Sequence, residues 1–262
     1  ECYATYGSDL TFYSTTETVR DMEALRAKLG DPKLTYLGYS YGTLLGAEYA
    51  SAYPGKVRAL VLDGAVDPTI SSIDQDKTQA AGFQLAFSHY AASCTKNGKC
   101  ALGNDPEGFV QNLMASSDKN PVPSGDSNDK RVVEGGAILL AVISALYDES
   151  QWSQLTTALT DASKGDGSGI LALDDQYNER QDDGTYSNIE DAKATIGCAE
   201  DRKLTGVELL PSRGLAHVPF GFALYELLDR HRLQGTVGGG QRGRAIKPLT
   251  GCRVLLPTGT GC

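Results

Sequence analysis

No stretch of this chain approaches the ~20 consecutive apolar residues that a helix needs to span a bilayer. The longest apolar candidate, Ala137 to Leu146, has only the length of a core helix. Basic residues are outnumbered: 24 Lys and Arg against 33 Asp and Glu leave a net charge of −9. That balance argues against a nucleic-acid partner, which would favour a basic surface. No cysteines stand in a C-x-x-C pair, so zinc or thioredoxin chemistry is not expected, and no metal or other cofactor is called for. There is no internal repeat. The chain opens on Glu1-Cys2 without a methionine or a leader-like segment, and the expectation is a mature product or a fragment. Histidine is scarce at three residues, which narrows the choice of a general base.

What is present suffices for a sizeable core. Of 262 residues 40% are hydrophobic and 22% charged, enough for one large α/β domain or for a core with a cap. The six cysteines are Cys2, Cys94, Cys100, Cys198, Cys252 and Cys262. Cys94 and Cys100 flank the polar turn Thr-Lys-Asn-Gly-Lys, a loop short and flexible enough for a local disulfide, with buried free thiols as the alternative. A disulfide would favour an oxidising compartment.

Along the chain, Thr15-Thr16-Glu17 reads as a hydroxyl-capped helix start, with Val19, Met22, Leu25 and Leu29 recurring at helical spacing. Gly30-Asp31-Pro32 ends that helix. Leu34 to Leu37 reads as a short strand, Thr43 to Ala52 as a helix, and Val57 to Leu62 as a second strand, apolar enough to be a buried parallel one. Helix, strand, helix, strand implies a parallel sheet with flanking helices. Residues 70 to 200 show helical patterns and almost no strand signal: Ile73 to Ala92, Pro106 to Ser116, Val132 to Tyr147, Gln151 to Ser163 and Ile189 to Ala199. Polar loops over Asn120 to Asp129 and Lys164 to Gly169 separate them. Such an insertion after a sheet strand reads as a helical cap. Beyond Asp201 the pattern weakens into Arg- and Gly-rich sequence, notably Gly238 to Arg244, best read as a solvated loop.

The motif that carries chemistry is Gly38-x-Ser40-x-Gly42, which fits a nucleophile elbow. Such a serine sits on a tight strand-to-helix turn, with glycines on both sides where a Cβ would collide with its neighbours. The helix N-terminus behind Ser40 offers free N–H groups where an oxyanion would form, and the N–H of Tyr41 is one candidate donor. A serine alcohol also needs a base. His89 lies in the cap pattern, and neither His217 nor His231 follows a strand and turn, so each reads as structural. Asp63 could orient a base in a variant layout, but Asp63 and Asp67 read first as loop-capping residues.

At three runs the sequence resembles a known family: Thr15 to Arg26, Tyr36 to Thr43 with its Gly38-Tyr39-Ser40-Tyr41-Gly42, and Arg58 to Pro68 with its Asp63-Gly64-Ala65. These are similar to the actinobacterial tripeptidyl aminopeptidases, serine peptidases related to prolyl aminopeptidases. Cys94, Cys100 to Gly103 and Ile196 to Asp201 resemble that family's cap. The resemblance spans roughly residues 1 to 201. It implies an α/β-hydrolase fold with a helical cap, and a secreted or envelope-associated exopeptidase that releases short peptides from free N-termini. It implies no metal and no cofactor. Ser40 takes the place of the family nucleophile and Tyr41 that of the oxyanion position.

The family pattern also has a segment before residue 1, with early strands and a second oxyanion donor, and after Asp201 a Gly-x-x-Asp-x-x-Thr-Pro acid and a later histidine turn. Neither is found here, although Val254 to Thr260 resembles the approach to the acid strand. The expectation is a fold incomplete at both ends: a core over 1–68, a cap over 69–201, and an aberrant or poorly ordered 202–262. The expected function is a serine exopeptidase acting through an acyl-enzyme on Ser40, its activity lost if the chain is a truncated member. The alternatives are an esterase or lipase on the same fold and a non-catalytic relative.

Overall fold

The computed structural model describes residues 6–96 and 98–200. Cys2, Cys252, Cys262, His217, His231, the Gly238 to Arg244 tract, the whole of 202–262 and the side chain of Cys198 lie outside the described residues. Within them the chain forms two compact units, residues 6–75 with 188–200, and residues 76–187.

The first unit holds helix α1 (Thr15–Lys28), strand β1 (Leu34–Tyr39), helix α2 (Tyr41–Ala52) and strand β2 (Val57–Asp63). The cap of α1 is Ser14, whose side chain accepts from the Glu17 N–H at 3.2 Å, so Thr15 is the first helical residue and not the cap. The apolar stripe of α1 is only partly inward. Val19 is buried, but Leu25 and Leu29 are 60% and 68% exposed while Arg26 is buried. Arg26 can go inside because its charge is met there: Nε and Nη2 donate to the two Glu23 carboxylate oxygens at 2.7 and 2.6 Å, and Nη1 donates to the Asp31 carbonyl. Tyr49, fully buried on α2, donates its hydroxyl to the same Glu23 carboxylate at 2.6 Å and so ties α2 to α1.

β1 and β2 pair in parallel, Thr35 opposite Ala59, Leu37 opposite Val61 and Tyr39 opposite Asp63. β1 runs two residues past the apolar stretch, because Gly38 and Tyr39 continue the ladder. α2 lies on the face of Tyr36, Gly38 and Leu62. At Gly46 a Cβ would come 2.6 Å from the Leu62 side chain and 3.0 Å from the Tyr36 ring, so any larger residue here would make those side chains shift. The opposite face carries Leu37 and Val61, at 55% and 59% exposure.

The second unit is helical: α3 (Ser72–Thr95, entering from the first unit), α4 (Pro106–Ser117), α5 (Gly135–Leu146), α6 (Trp152–Ala162) and α7 (Ser168–Tyr177). α5 is apolar nearly all round and has eight buried residues, which makes it the central helix of this core. Phe87, Tyr90, Val110, Leu155, Leu159, Ile170 and Leu173 pack in the same cluster. Cys94 and Cys100 form a disulfide with Cα atoms 4.9 Å apart. Two readings of the sequence are corrected. Val132–Val133 is a strand (β4) paired antiparallel with Val122–Pro123 (β3), and the helix begins only at Gly135. α7 was masked by its glycines: Gly169 sits where a Cβ would lie 2.8 Å from the Ala158 Cβ, so the glycine that weakens the helical pattern is what lets α7 approach α6. α8 (Ile189–Glu200) closes the described chain. No helix among the described residues is long and apolar enough to cross a membrane.

Candidate active site

The site is the turn between β1 and α2. Ser40 has φ 49° and ψ −119°, and with Glu179 it is one of two non-glycine residues with positive φ among the described residues. Such a conformation costs on the order of 1–3 kcal/mol and persists only when its surroundings impose it. Here several contacts do so. The Ser40 N–H donates to the Asp63 carbonyl at 3.0 Å, extending the β1–β2 ladder by one bond. The Ser40 carbonyl accepts from the Thr43 N–H at 2.9 Å and from the Thr43 hydroxyl at 2.6 Å. That hydroxyl in turn accepts from the Val66 N–H at 2.8 Å.

The flanking glycines act on opposite sides of the turn. A Cβ on Gly38 would stand 2.4 Å from the Gly42 carbonyl oxygen, a backbone collision that no side-chain movement relieves. A Cβ on Gly42 would meet the Tyr36 hydroxyl at 3.2 Å. Tyr36 uses that hydroxyl to donate to the Gly42 carbonyl at 2.8 Å, and burial raises its phenol pKa, so it remains a neutral donor. Gly38 therefore lets the strand and helix meet, and Tyr36 fastens them.

Ser40 is exposed and its side chain makes no capping bond to α2, so the hydroxyl is not engaged by the helix it precedes. The first N–H groups of α2 lack intrahelical partners, and the end of the helix carries positive partial charge beside Ser40. Tyr41 is the first residue of α2; its hydroxyl lies 2.6 Å from the Thr15 hydroxyl at the start of α1. A free hydroxyl at the C-terminal end of a strand, with N–H donors at its back, has the geometry that attack on a carbonyl requires, where the oxygen gains charge.

The remaining candidates have other places. Asp63 contributes its backbone carbonyl to Ser40, and its side chain is exposed. Asp67 accepts from the side chain and the N–H of Thr69 at 2.6 and 2.8 Å, a loop cap that holds its carboxyl below the usual range. His89 is an exposed residue of α3 in the second unit. His217 and His231 lie outside the described residues. No group of three or more His, Cys, Asp or Glu among the described residues could hold a metal ion. Tyr36, Thr43, Val66 and Thr15 were not anticipated as parts of the site. Thr43 alone left a signal, as a hydroxyl residue three positions after Ser40 at a helix start.

Comparison with known proteins bears on the fold that carries this turn. The model of the alpha/beta hydrolase fold matches residues 2–168. Serine protease Hip1 of Mycobacterium tuberculosis is 40% identical over 203 residues, which cover 75% of this chain and 39% of that protein. Carboxylesterase B of the same organism is 40% identical over 194 residues, 74% of this chain and 37% of that protein. The tripeptidyl aminopeptidase of Streptomyces lividans is 30% identical over 177 residues, 65% of this chain and 32% of that protein. The chain thus matches about two fifths or less of the length of these relatives.

Proposed function

The chain belongs to the α/β-hydrolase fold family, and from that premise we propose that it carries the nucleophile of a serine hydrolase, with Ser40 as the attacking residue. The observation that carries the reading is the backbone of Ser40: an L-residue at positive φ between a parallel strand and a helix. In the proposed reaction Ser40 Oγ attacks a substrate carbonyl. Its proton passes through a base to the leaving amine, the C–N bond breaks, and an acyl-enzyme remains for water to hydrolyse. The Tyr41 N–H is one donor to the oxyanion of the tetrahedral intermediate.

The substrate class we propose is a peptide with a free N-terminus, from which a tripeptide is released without cofactor. Support comes from the relatives named serine protease and tripeptidyl aminopeptidase. A short acyl ester is the second reading, favoured by the relative named carboxylesterase. The helical 69–201 region is proposed as a cap that sets this choice, and the disulfide supports an extracytoplasmic location.

The test is labelling with a fluorophosphonate probe. Labelling at Ser40 that Ser40→Ala abolishes is expected; a folded protein left unlabelled would remove the reading. Rates on a tripeptide amide and on a short acyl ester then separate the two substrate classes.

A further inference from the structure

Thr43 is almost wholly buried at 1% exposure, and its hydroxyl uses both its donor and an acceptor site on one side of the nucleophile turn. It donates to the Ser40 carbonyl at 2.6 Å and accepts from the Val66 N–H at 2.8 Å. Ser40 is therefore gripped at both ends of its own peptide units. Its N–H is held by Asp63, the last residue of β2, and its carbonyl is held, through Thr43, by the loop three residues further on. A helix-capping residue would ordinarily relax its carbonyl toward the helix alone. Here the Thr43 hydroxyl adds a second bond to that carbonyl, and because the same hydroxyl is held from outside α2 by the Val66 N–H, it fixes the peptide plane between Ser40 and Tyr41. That plane carries the Tyr41 N–H as well as the Ser40 carbonyl, so rotating one rotates the other.

We propose that Thr43 is a positioning residue: its hydroxyl tethers the Ser40–Tyr41 peptide plane to Val66 and so sets both the direction of the Ser40 side chain and the aim of the Tyr41 N–H. This rests on the reading of Ser40 as nucleophile, but the tether can be measured without it. Valine matches threonine in shape and lacks the hydroxyl, while serine keeps the hydroxyl and drops the methyl group. Thr43→Val leaves the Val66 N–H and one acceptor site of the Ser40 carbonyl without partners, whereas Thr43→Ser restores both bonds.

The experiment pairs two readouts on the 262-residue protein. In the first, fluorophosphonate labelling at Ser40 is resolved into probe affinity and the first-order phosphonylation rate. Thr43→Val is expected to slow the first-order step about tenfold with affinity nearly unchanged, and Thr43→Ser to recover most of it, as expected for one buried hydroxyl. In the second, amide hydrogen exchange is read at Ser40 and Val66. In the wild-type protein the two amides should exchange at similar rates through one common opening, and in Thr43→Val both should exchange faster. An unchanged first-order rate in Thr43→Val, or a wild-type Val66 amide that exchanges freely while Ser40 stays protected, overturns the tether. The wild-type measurement decides the matter if the valine variant does not fold. Absence of labelling in every variant would count against Ser40 as nucleophile and leave the exchange result to judge the tether.

Discussion

At the scale of single residues, the strongest constraint in the first unit is a serine in backbone space that glycine prefers. Its φ of 49° is imposed by Asp63, Thr43 and the absence of a Cβ at Gly38. Glycine at position 40 should relieve that strain and alanine should not. Ser40→Gly is expected to be more stable than Ser40→Ala by about 1 kcal/mol in urea unfolding, the strain relieved being partly offset by the greater freedom of glycine in the unfolded chain. Equal stability of the two variants would mean that the turn holds no strain. The five-residue motif was legible in the sequence because glycine at 38 and 42 leaves a visible spacing. The bonds that enforce it were not, because a threonine hydroxyl reaching a backbone N–H 23 positions away leaves no periodicity to read.

At the scale of elements, helix α1 shows where pattern reading succeeds and fails. Its existence and end were visible, but its inward face was not, because two leucines point outward and an arginine points in. Hydropathy assigns Arg26 to solvent; the Glu23 carboxylate and the Asp31 carbonyl reverse that assignment locally. The same cluster predicts a pH response. Hydrogen bonds from Arg26, then from Tyr49, pull the Glu23 pKa from 4.5 down to about 2. A carboxyl whose pKa is lower in the folded state binds fewer protons there than when unfolded, so its contribution is complete above about 4.5 and is lost as the pH falls towards 2. The stability advantage of the wild-type protein over Glu23→Gln should therefore shrink across that interval. Titration of Glu23 by NMR in Tyr49→Phe should show its pKa moving back towards 4.5; an unmoved value would mean that the tyrosine contributes nothing. The β3–β4 pair was missed for another reason: two-residue strands are too short to show alternation.

At the scale of the whole molecule, the division into two compact units gives the disulfide a local meaning. Cys94 and Cys100 are six positions apart at the end of α3, inside the second unit, and closing so short a loop contributes about 2 kcal/mol on chain-entropy grounds. Reduction should therefore lower the stability of residues 76–187, read as faster amide exchange in α5 and α6, and leave exchange in α1, β1 and α2 unaltered. Acceleration throughout both units would show that they unfold as one. The parallel order of β1 and β2 was legible from two apolar runs separated by a helix. The helical character of 76–187 was legible too, except at α7, where close packing on α6 required a residue of poor helix propensity.

The exposed side chains on one face of the β1–β2 sheet also bear on how the protein behaves in bulk. Leu37 and Val61 stand side by side on it, with Tyr39 beside them at 64% exposure. Salts excluded from protein surfaces raise the free energy of wetting such a patch. On a phenyl resin, retention should accordingly lengthen as ammonium sulfate is added, and a lysine placed at 37 or 61 should bring elution forward.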